Sequence, residues 1–162
     1  MQDYMLIIDN LFQNEAFKVF LLSMLPITEL RFSIPYGINF YSIPTFQIVL
    51  ISIVGNIFIG ILIVYIIGPT MYYFKKIPIF NSLINYIFNR TLNKSKSIEK
   101  RKFYGLLLFV SIPLPMTGVW TGALASYLLN LNRYYSILAI SFGVMLSATI
   151  VTTLTLFSID LI

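Results

Sequence analysis

The sequence contains no cysteine and no histidine, and only 10% of its 162 residues are charged. Without cysteine the chain can form neither a disulfide nor a thiolate metal site. Without histidine it has neither a Ser-His dyad nor the His-Glu-x-x-His pattern of zinc proteases. Aspartate occurs only at positions 3, 9 and 160, which excludes a membrane aspartyl dyad. We therefore expect neither an enzyme nor a metal or other cofactor.

The composition is instead typical of a membrane protein, because 58% of the residues are hydrophobic. It predicts an all-α integral membrane protein that crosses the cell membrane more than once, with a single transmembrane domain over residues 1–162. The first 15 residues carry three acidic side chains and no basic one. This pattern indicates a short helix at the membrane interface rather than a cleavable signal peptide.

Two apolar segments, 44–67 and 134–159, are long enough to span the bilayer. Two other apolar segments are broken. Residues 16–28 would extend only roughly 20 Å as a helix, against a hydrocarbon core of about 30 Å, and lead into a polar stretch bracketed by Pro26 and Pro35. Residues 103–129 are interrupted by the motif IPLPMTGVWTG at 112–122.

The order of a broken segment followed by a spanning helix therefore occurs twice, which predicts an internal repeat. In the first half, Thr28 and Gly55 follow Pro26 by two and twenty-nine residues. In the second half, Thr117 and Gly143 follow Pro115 by two and twenty-eight residues. We place repeat 1 at about 16–69, a basic loop at about 70–102 and repeat 2 at about 103–160.

The basic residues predict the topology. Eight of the eleven Lys and Arg residues lie between positions 75 and 102, which indicates a cytoplasmic loop rather than nucleic-acid binding. Within this loop, residues 77–92 have the pattern of an amphipathic helix on the membrane surface. We expect the loop at 75–102 to bind anionic lipids.

If each broken segment is a re-entrant hairpin, every basic residue beyond the membrane edge becomes cytoplasmic, whereas four full crossings would place Arg133 outside. We favour the hairpins. They would enter from opposite faces, which makes the repeat an inverted one. Non-helical backbone at membrane depth needs protein or water around it, so the two hairpin tips should meet near the midplane.

Glu29 and Arg31 lie at the first tip, where a non-helical backbone would place both side chains on one side. A charged residue at the centre of a membrane helix costs about 2.5–3.5 kcal/mol on translocon scales. The pair either pins the hairpin, or Glu29 exchanges a proton while Arg31 binds an anionic headgroup. The other candidate residues near this tip are Pro35, Gly37 and Asn56, of which Asn56 is suited to an interhelical hydrogen bond.

The second tip supplies hydroxyl groups, backbone carbonyls freed by prolines, and one aromatic face. Trp120 could alternatively be an anchor at the membrane interface. Together the candidate residues of this tip are Pro113, Pro115, Thr117, Gly118, Trp120, Thr121 and Gly122.

The motifs ELRFSIPYGI at 29–38 and IPLPMTGVWTGALAS at 112–126, with GN at 55–56, resemble the family called "putative small multidrug export proteins". That family is in turn similar to the DedA superfamily, whose members are described as inverted repeats of re-entrant hairpin plus helix and include lipid-carrier flippases. The chain departs from the family pattern at Phe32, Ser33 and Met116, where smaller residues are expected.

We therefore expect a small membrane transporter for an amphipathic or lipid-like anion of the lipid-phosphate carrier type, driven by protons. One alternative is a proton-coupled exporter of small cationic drugs, in which Glu29 alone binds substrate and proton. A second alternative, of a different class, is a non-transporting scaffold or assembly factor. Small and hydroxylated residues over 143–153 predict a homo-oligomer.

Overall fold

The computed structural model describes residues 14–74, 97–114 and 117–160. Within these ranges all regular secondary structure is α-helical, in agreement with the predicted class. The helices are α1 (Glu15–Met24), α2 (Glu29–Phe40), α3 (Thr45–Phe74), α4 (Ser97–Ser111), α5 (Val119–Leu128) and α6 (Arg133–Asp160).

Among the described helices, α3 and α6 are long and apolar enough to cross a membrane. Their candidate spans are Thr45–Thr70 and Arg133–Ile159, with mean hydropathies of 2.7 and 2.1. Only 28% and 39% of the residues in their most apolar windows are buried. Large apolar side chains on both helices are instead exposed, including those of Phe46, Phe58, Leu154 and Phe157. This surface matches a lipid environment better than the outside of a soluble protein.

The other helices are short, and the local sequence explains where they begin and end. Asn14 caps α1, because its Oδ1 accepts the backbone N–H groups of Ala16 and Phe17 at 3.0 and 3.3 Å. Pro26 disfavours helix at the residue before it, and Leu25 is accordingly extended at the end of α1. A helix of 10 to 15 residues is about 15–22 Å long, so none of α1, α2, α4 and α5 spans a bilayer core alone over its described residues.

The two halves use the same kind of close contact between a short helix and a long one. A methyl group at Gly55 of α3 would lie 2.9 Å from the carbonyl oxygen of Phe20 in α1. A methyl group at Gly143 of α6 would lie 2.9 Å from the carbonyl oxygen of Leu107 in α4. Glycine therefore allows α1 to approach α3 and α4 to approach α6 backbone to backbone.

The core lies where α2 and α5 pack between α3 and α6. Its largest fully buried side chains include Ile34 of α2, Val119 of α5 and the pair Ile140 and Val144 of α6. This packing places the beginnings of α2 and α5 next to each other in the interior. The two predicted tips therefore face the same core.

Several predicted boundaries need correction. The first spanning helix continues to Phe74, beyond the predicted end at position 67, because the apolar pattern continues past Gly68. The described part of helix α4 starts at Ser97, so residues 97–102 of the predicted basic loop are helical. The predicted interfacial helix at 1–15 falls largely, and the amphipathic helix at 77–92 entirely, outside the described residues.

Candidate functional site

The first break, residues 25–28, brings Glu29 into the interior. The hydroxyl of Thr28 donates to the carbonyl oxygen of Leu22 at 2.6 Å and so satisfies the end of α1. Glu29 then begins α2 with φ of 45°, in the left-handed region that residues other than glycine rarely occupy. Such a conformation costs about 1–3 kcal/mol and persists where surrounding contacts fix it.

Glu29 and Arg31 lie in the first turn of helix α2 and not in the non-helical segment that the sequence predicted. Pro35 lies inside this helix rather than at its boundary. Proline has no N–H, so the carbonyl of Arg31 loses its helical partner. The two side chains nevertheless meet, because the left-handed φ of Glu29 redirects the chain at the helix start.

Glu29 and Arg31 form an ion pair. Nη2 of Arg31 lies 3.2 Å from Oε2 of Glu29, and the side chains are 21% and 6% exposed respectively. Nη1 of Arg31 donates a second hydrogen bond to the backbone carbonyl of Leu114 in the second break. Arg31 therefore neutralises the buried carboxylate and also ties the first break to the second.

The second break is organised by Thr117. Its hydroxyl donates towards the carbonyl oxygens of Ile112 and Leu114 at 2.7 and 2.8 Å and accepts the N–H of Leu114 at 3.1 Å. This network replaces the helical bonds that Pro113 interrupts. Pro115 lies outside the described residues.

Glu29 also contacts the beginning of α5. Its carboxylate lies beside Gly118, the residue before α5, where the first N–H groups of that helix have no helical partner. The positive end of the α5 dipole favours a negative charge at this position. A methyl group at Gly118 would overlap the Glu29 carboxylate. Glu29 thus places its carboxylate at the start of a helix from the other half of the chain.

Asn56 reaches the same region from α3. It is 1% exposed, and its Nδ2 donates to the backbone carbonyl oxygen of Ser23 at 2.9 Å. This is the interhelical hydrogen bond expected from the sequence. Its Oδ1 is buried and has no hydrogen-bond partner in the part of the chain that the structure describes.

The remaining candidate residues surround this centre at different distances. Thr121 and Gly122 lie in α5, where the Thr121 hydroxyl turns back to the carbonyl of Gly118 at 3.4 Å and Gly122 packs against Val110. Gly37 lies two turns from the start of α2 and packs against Ile48 of α3. Gly37 and Gly122 therefore serve close helix packing rather than direct contact with Glu29.

Two spaces adjoin the ion pair. A cavity of about 10 Å³ lies between Glu29, Asn56, Ser147 and neighbouring residues. A larger groove of about 290 Å³ is lined by Pro35, Pro113, Val151, Leu154, Thr155 and Ser158. Arg31 lines both spaces. Ser147, Thr155 and Ser158 were not predicted from the sequence as site residues, although their spacing along α6 puts them on one helix face.

Within the described residues no group of three or more His, Cys, Asp or Glu side chains could hold a metal ion. The centre therefore offers one carboxylate, one guanidinium, one free amide oxygen and helix-end dipoles. These groups suit proton exchange and binding of an anion.

The sequence was compared with known proteins. The profile of the family described as "Putative small multi-drug export protein" matches residues 29–150, which begin at Glu29, directly after the first break, and include the second break. Neither a curated protein nor a solved structure matches the chain. Because the match covers most of the sequence, including α3 and the first 18 residues of α6, the chain belongs to this family of membrane proteins of small multidrug export type.

Proposed function

We propose that the protein is a transporter in the cell membrane that translocates an amphipathic or lipid-like anion, of the lipid-phosphate carrier type, with Glu29 carrying protons. The observation that carries this proposal is the position of Arg31. It lines an apolar groove of about 290 Å³, and its only ion pair among the described residues is with the buried Glu29.

The groove suits a ligand with an anionic head and an apolar tail. Arg31 supplies the guanidinium, which binds phosphate oxygens in a fork geometry. Thr155 and Ser158 add hydroxyl groups, and Leu154 and Val151 supply apolar surface. Leu154 is 61% exposed, so this side of the groove would be open to the acyl region of the bilayer.

Proton coupling follows from competition for Arg31. In the structure the guanidinium is paired with the Glu29 carboxylate. An incoming phosphate would compete for the same charge, and protonation of Glu29 would release Arg31 to it. Anion binding and proton uptake would therefore favour one another at this pair.

Within the bilayer, we propose that α1–α2 and α4–α5 form two re-entrant hairpins of an inverted repeat, as in the DedA superfamily. Four features support this arrangement. The short helices do not reach across a hydrocarbon core. The two helices of each pair pack against each other. The glycine contacts recur at Gly55 and Gly143. The two breaks meet at Glu29 and Gly118.

We also propose that the protein binds anionic lipids and a second copy of itself. The basic segment 75–102 would lie in the cytoplasm against anionic lipids. A homo-oligomer would form through α6, because two spanning helices offer little cover for the non-helical backbone of both breaks. The exposed Met145, Thr149 and Thr153 lie on one side of α6 and could form this contact.

A second function, proton-coupled export of small cationic drugs, is favoured by the description of the family. In that case the substrate cation would replace Arg31 as the partner of Glu29. A scaffold without transport activity would need neither the carboxylate nor the guanidinium.

One experiment separates these functions. Purified protein in liposomes is assayed for translocation of a lipid phosphate and, in parallel, of a lipophilic cation. We expect lipid-phosphate transport that falls about tenfold or more in Arg31→Ala, because a charge-assisted hydrogen bond contributes about 1.5–3 kcal/mol. Glu29→Gln should abolish its pH dependence.

The control variant is Glu15→Gln, in which a carboxylate that accepts the N–H of Ser42 at 3.0 Å is replaced by an amide that keeps the acceptor. Transport of the cation alone, lost in Glu29→Gln and retained in Arg31→Ala, would establish the drug exporter instead. Absence of both activities in folded protein would support the scaffold.

A further inference from the structure

The free amide oxygen of Asn56 points to a bound ligand. Asn56 is 1% exposed, and its Nδ2 donates to the carbonyl oxygen of Ser23 at 2.9 Å. This bond fixes which side of the amide carries the oxygen, because a carbonyl can only accept. Oδ1 then has no donor in the described part of the chain. A buried acceptor without a donor is costly, so native structures usually supply one.

The space next to Asn56 is small and partly polar. It measures about 10 Å³ and is lined by the Glu29 carboxylate and by Ser147, which is 6% exposed. A cavity needs about 10–15 Å³ on this scale to hold one water molecule, and the water needs two to four polar partners. Asn56, Glu29 and Ser147 supply three.

The charges around the cavity favour a neutral ligand. Glu29 and Arg31 are the charged residues that line it, and they are already paired with each other. A metal cation would add an uncompensated positive charge beside Arg31. A water molecule adds none, and it can donate to an amide oxygen and a carboxylate together.

We propose that this cavity binds one water molecule, which donates to Asn56 Oδ1, contacts the Glu29 carboxyl group and Ser147 Oγ, and receives the proton that leaves Glu29. The binding site stands on the geometry alone. The role in proton release rests on the proposed function.

The proton step conserves every atom. The O–H bond of protonated Glu29 breaks as its proton bonds to the water oxygen, and the water passes one of its own protons to Ser147 Oγ. Ser147 then releases its original hydroxyl proton to a solvent water molecule on the side of the groove, where Val151 and Thr155 follow at intervals of four residues on the same helix face. Glu29 is left as a carboxylate paired with Arg31.

The test measures hydrogen–deuterium exchange of the Glu29 carboxyl group by infrared spectroscopy of the whole protein in nanodiscs, at a pH where that group is protonated. Its band is identified by its loss in Glu29→Gln. In Ser147→Val the added methyl groups fill the cavity and remove the hydroxyl. We expect exchange to slow about a hundredfold, the lower end of what a positioned proton-transfer partner contributes.

Thr152→Val is the matched control, because Thr152 lies on the same helix, its hydroxyl donates to the carbonyl oxygen of Ala148 at 2.7 Å, and it does not line the cavity. This variant should exchange at the rate of the unmodified protein. Equal rates in Ser147→Val and Thr152→Val would overturn the role of the water.

A second measurement applies even if Ser147→Val does not fold. An experimental structure of the unmodified protein at a resolution that shows ordered water should contain one water within hydrogen-bond distance of Asn56 Oδ1 and Glu29. A direct Glu29–Asn56 hydrogen bond in its place would overturn the site. Slowed exchange in a protein that transports nothing would leave the water site standing and remove the proposed function. Proton-coupled transport with exchange unchanged in Ser147→Val would leave the proposed function standing and remove the role of the water in proton transfer.

Discussion

The indole Nε1–H of Trp120 donates a hydrogen bond to the backbone carbonyl oxygen of Met24 at 3.1 Å. Met24 is the last residue of α1, and Trp120 lies in the first turn of α5. The bond therefore joins the two breaks across 96 positions of sequence. It satisfies a carbonyl that the end of α1 leaves without a helical partner. This contact favours a role for Trp120 at the tip over a role as an interfacial anchor.

Replacing Trp120 by Phe keeps an aromatic ring but removes the donor. We expect a loss of about 1 kcal/mol of stability, the usual contribution of one hydrogen bond, measured by thermal unfolding in lipid nanodiscs. Tyr104→Phe is the control, because Tyr104 is 61% exposed and lies away from both breaks. If the two variants unfold alike, the bond to Met24 contributes nothing.

Gly118 has a different role, since a side chain there would collide with Glu29. Gly118→Ala should destabilise the protein by about 1–3 kcal/mol, the usual cost of overpacking, and Glu29→Ala in the same chain should recover part of this loss. Gly105→Ala is the matched control, because no atom of another described segment lies within 4 Å of the added methyl group. In a helix that change should be neutral or stabilising. A Gly118→Ala protein as stable as Gly105→Ala would contradict the contact.

The ion pair can be tested by removing one partner or both. Arg31→Ala leaves the Glu29 side chain, which is 6% exposed, without its cation. We expect a loss of about 1–3 kcal/mol, below the 3–5 kcal/mol typical of fully buried pairs, because Arg31 keeps 21% exposure. Arg31→Ala combined with Glu29→Gln should be more stable than Arg31→Ala alone. Equal expression and equal melting of these two variants would mean that the residues do not interact.

The sequence predicted the elements that depend on composition and length. Helices α3 and α6 lie close to the predicted spans because long apolar runs have few alternatives in a membrane. The prolines predicted the positions of both breaks, because proline lacks the N–H donor that a continuous helix needs. The contact between Glu29 and Arg31 was likewise expected from their spacing, although the structure achieves it with a helical turn and a left-handed φ.

Contacts between distant segments could not be predicted in the same detail. The position of Glu29 at the start of α5 depends on how two breaks about 90 residues apart dock, and no local pattern encodes that geometry. Ser147 was missed as a site residue because a serine in an apolar helix has the same sequence signature whether it faces a cavity or another helix. The free oxygen of Asn56 is similarly visible only in three dimensions.

The groove beside Arg31 gives a prediction about transport. Leu154→Trp would place a large ring at the groove, which Leu154 lines, and should reduce lipid-phosphate translocation in liposomes without reducing stability. Leu156→Trp is the matched control, because Leu156 is exposed on the same helix but does not line the groove. Equal transport by the two variants would place the substrate path elsewhere.

The topology can be tested by cysteine labelling without first replacing any native residue, because the chain has no cysteine. Single cysteines at Gln2, Ser95, Asn132 and Ile162 are labelled in intact cells with a membrane-impermeant maleimide. Re-entrant hairpins put Gln2 and Ile162 outside, and Ser95 and Asn132 inside. Four full crossings with the same cytoplasmic basic loop reverse every position except Ser95.

We expect labelling at Gln2 and Ile162 alone, for two reasons. The charge bias of the basic segment fixes its cytoplasmic side, and the described short helices are too short to cross singly. Labelling of permeabilised cells should reach all four cysteines, which controls for their reactivity. Reaction at Asn132 but at neither terminus would rule out the hairpins. The inverted repeat would fall with them, and the meeting of Glu29 with α5 would then need a different placement in the bilayer.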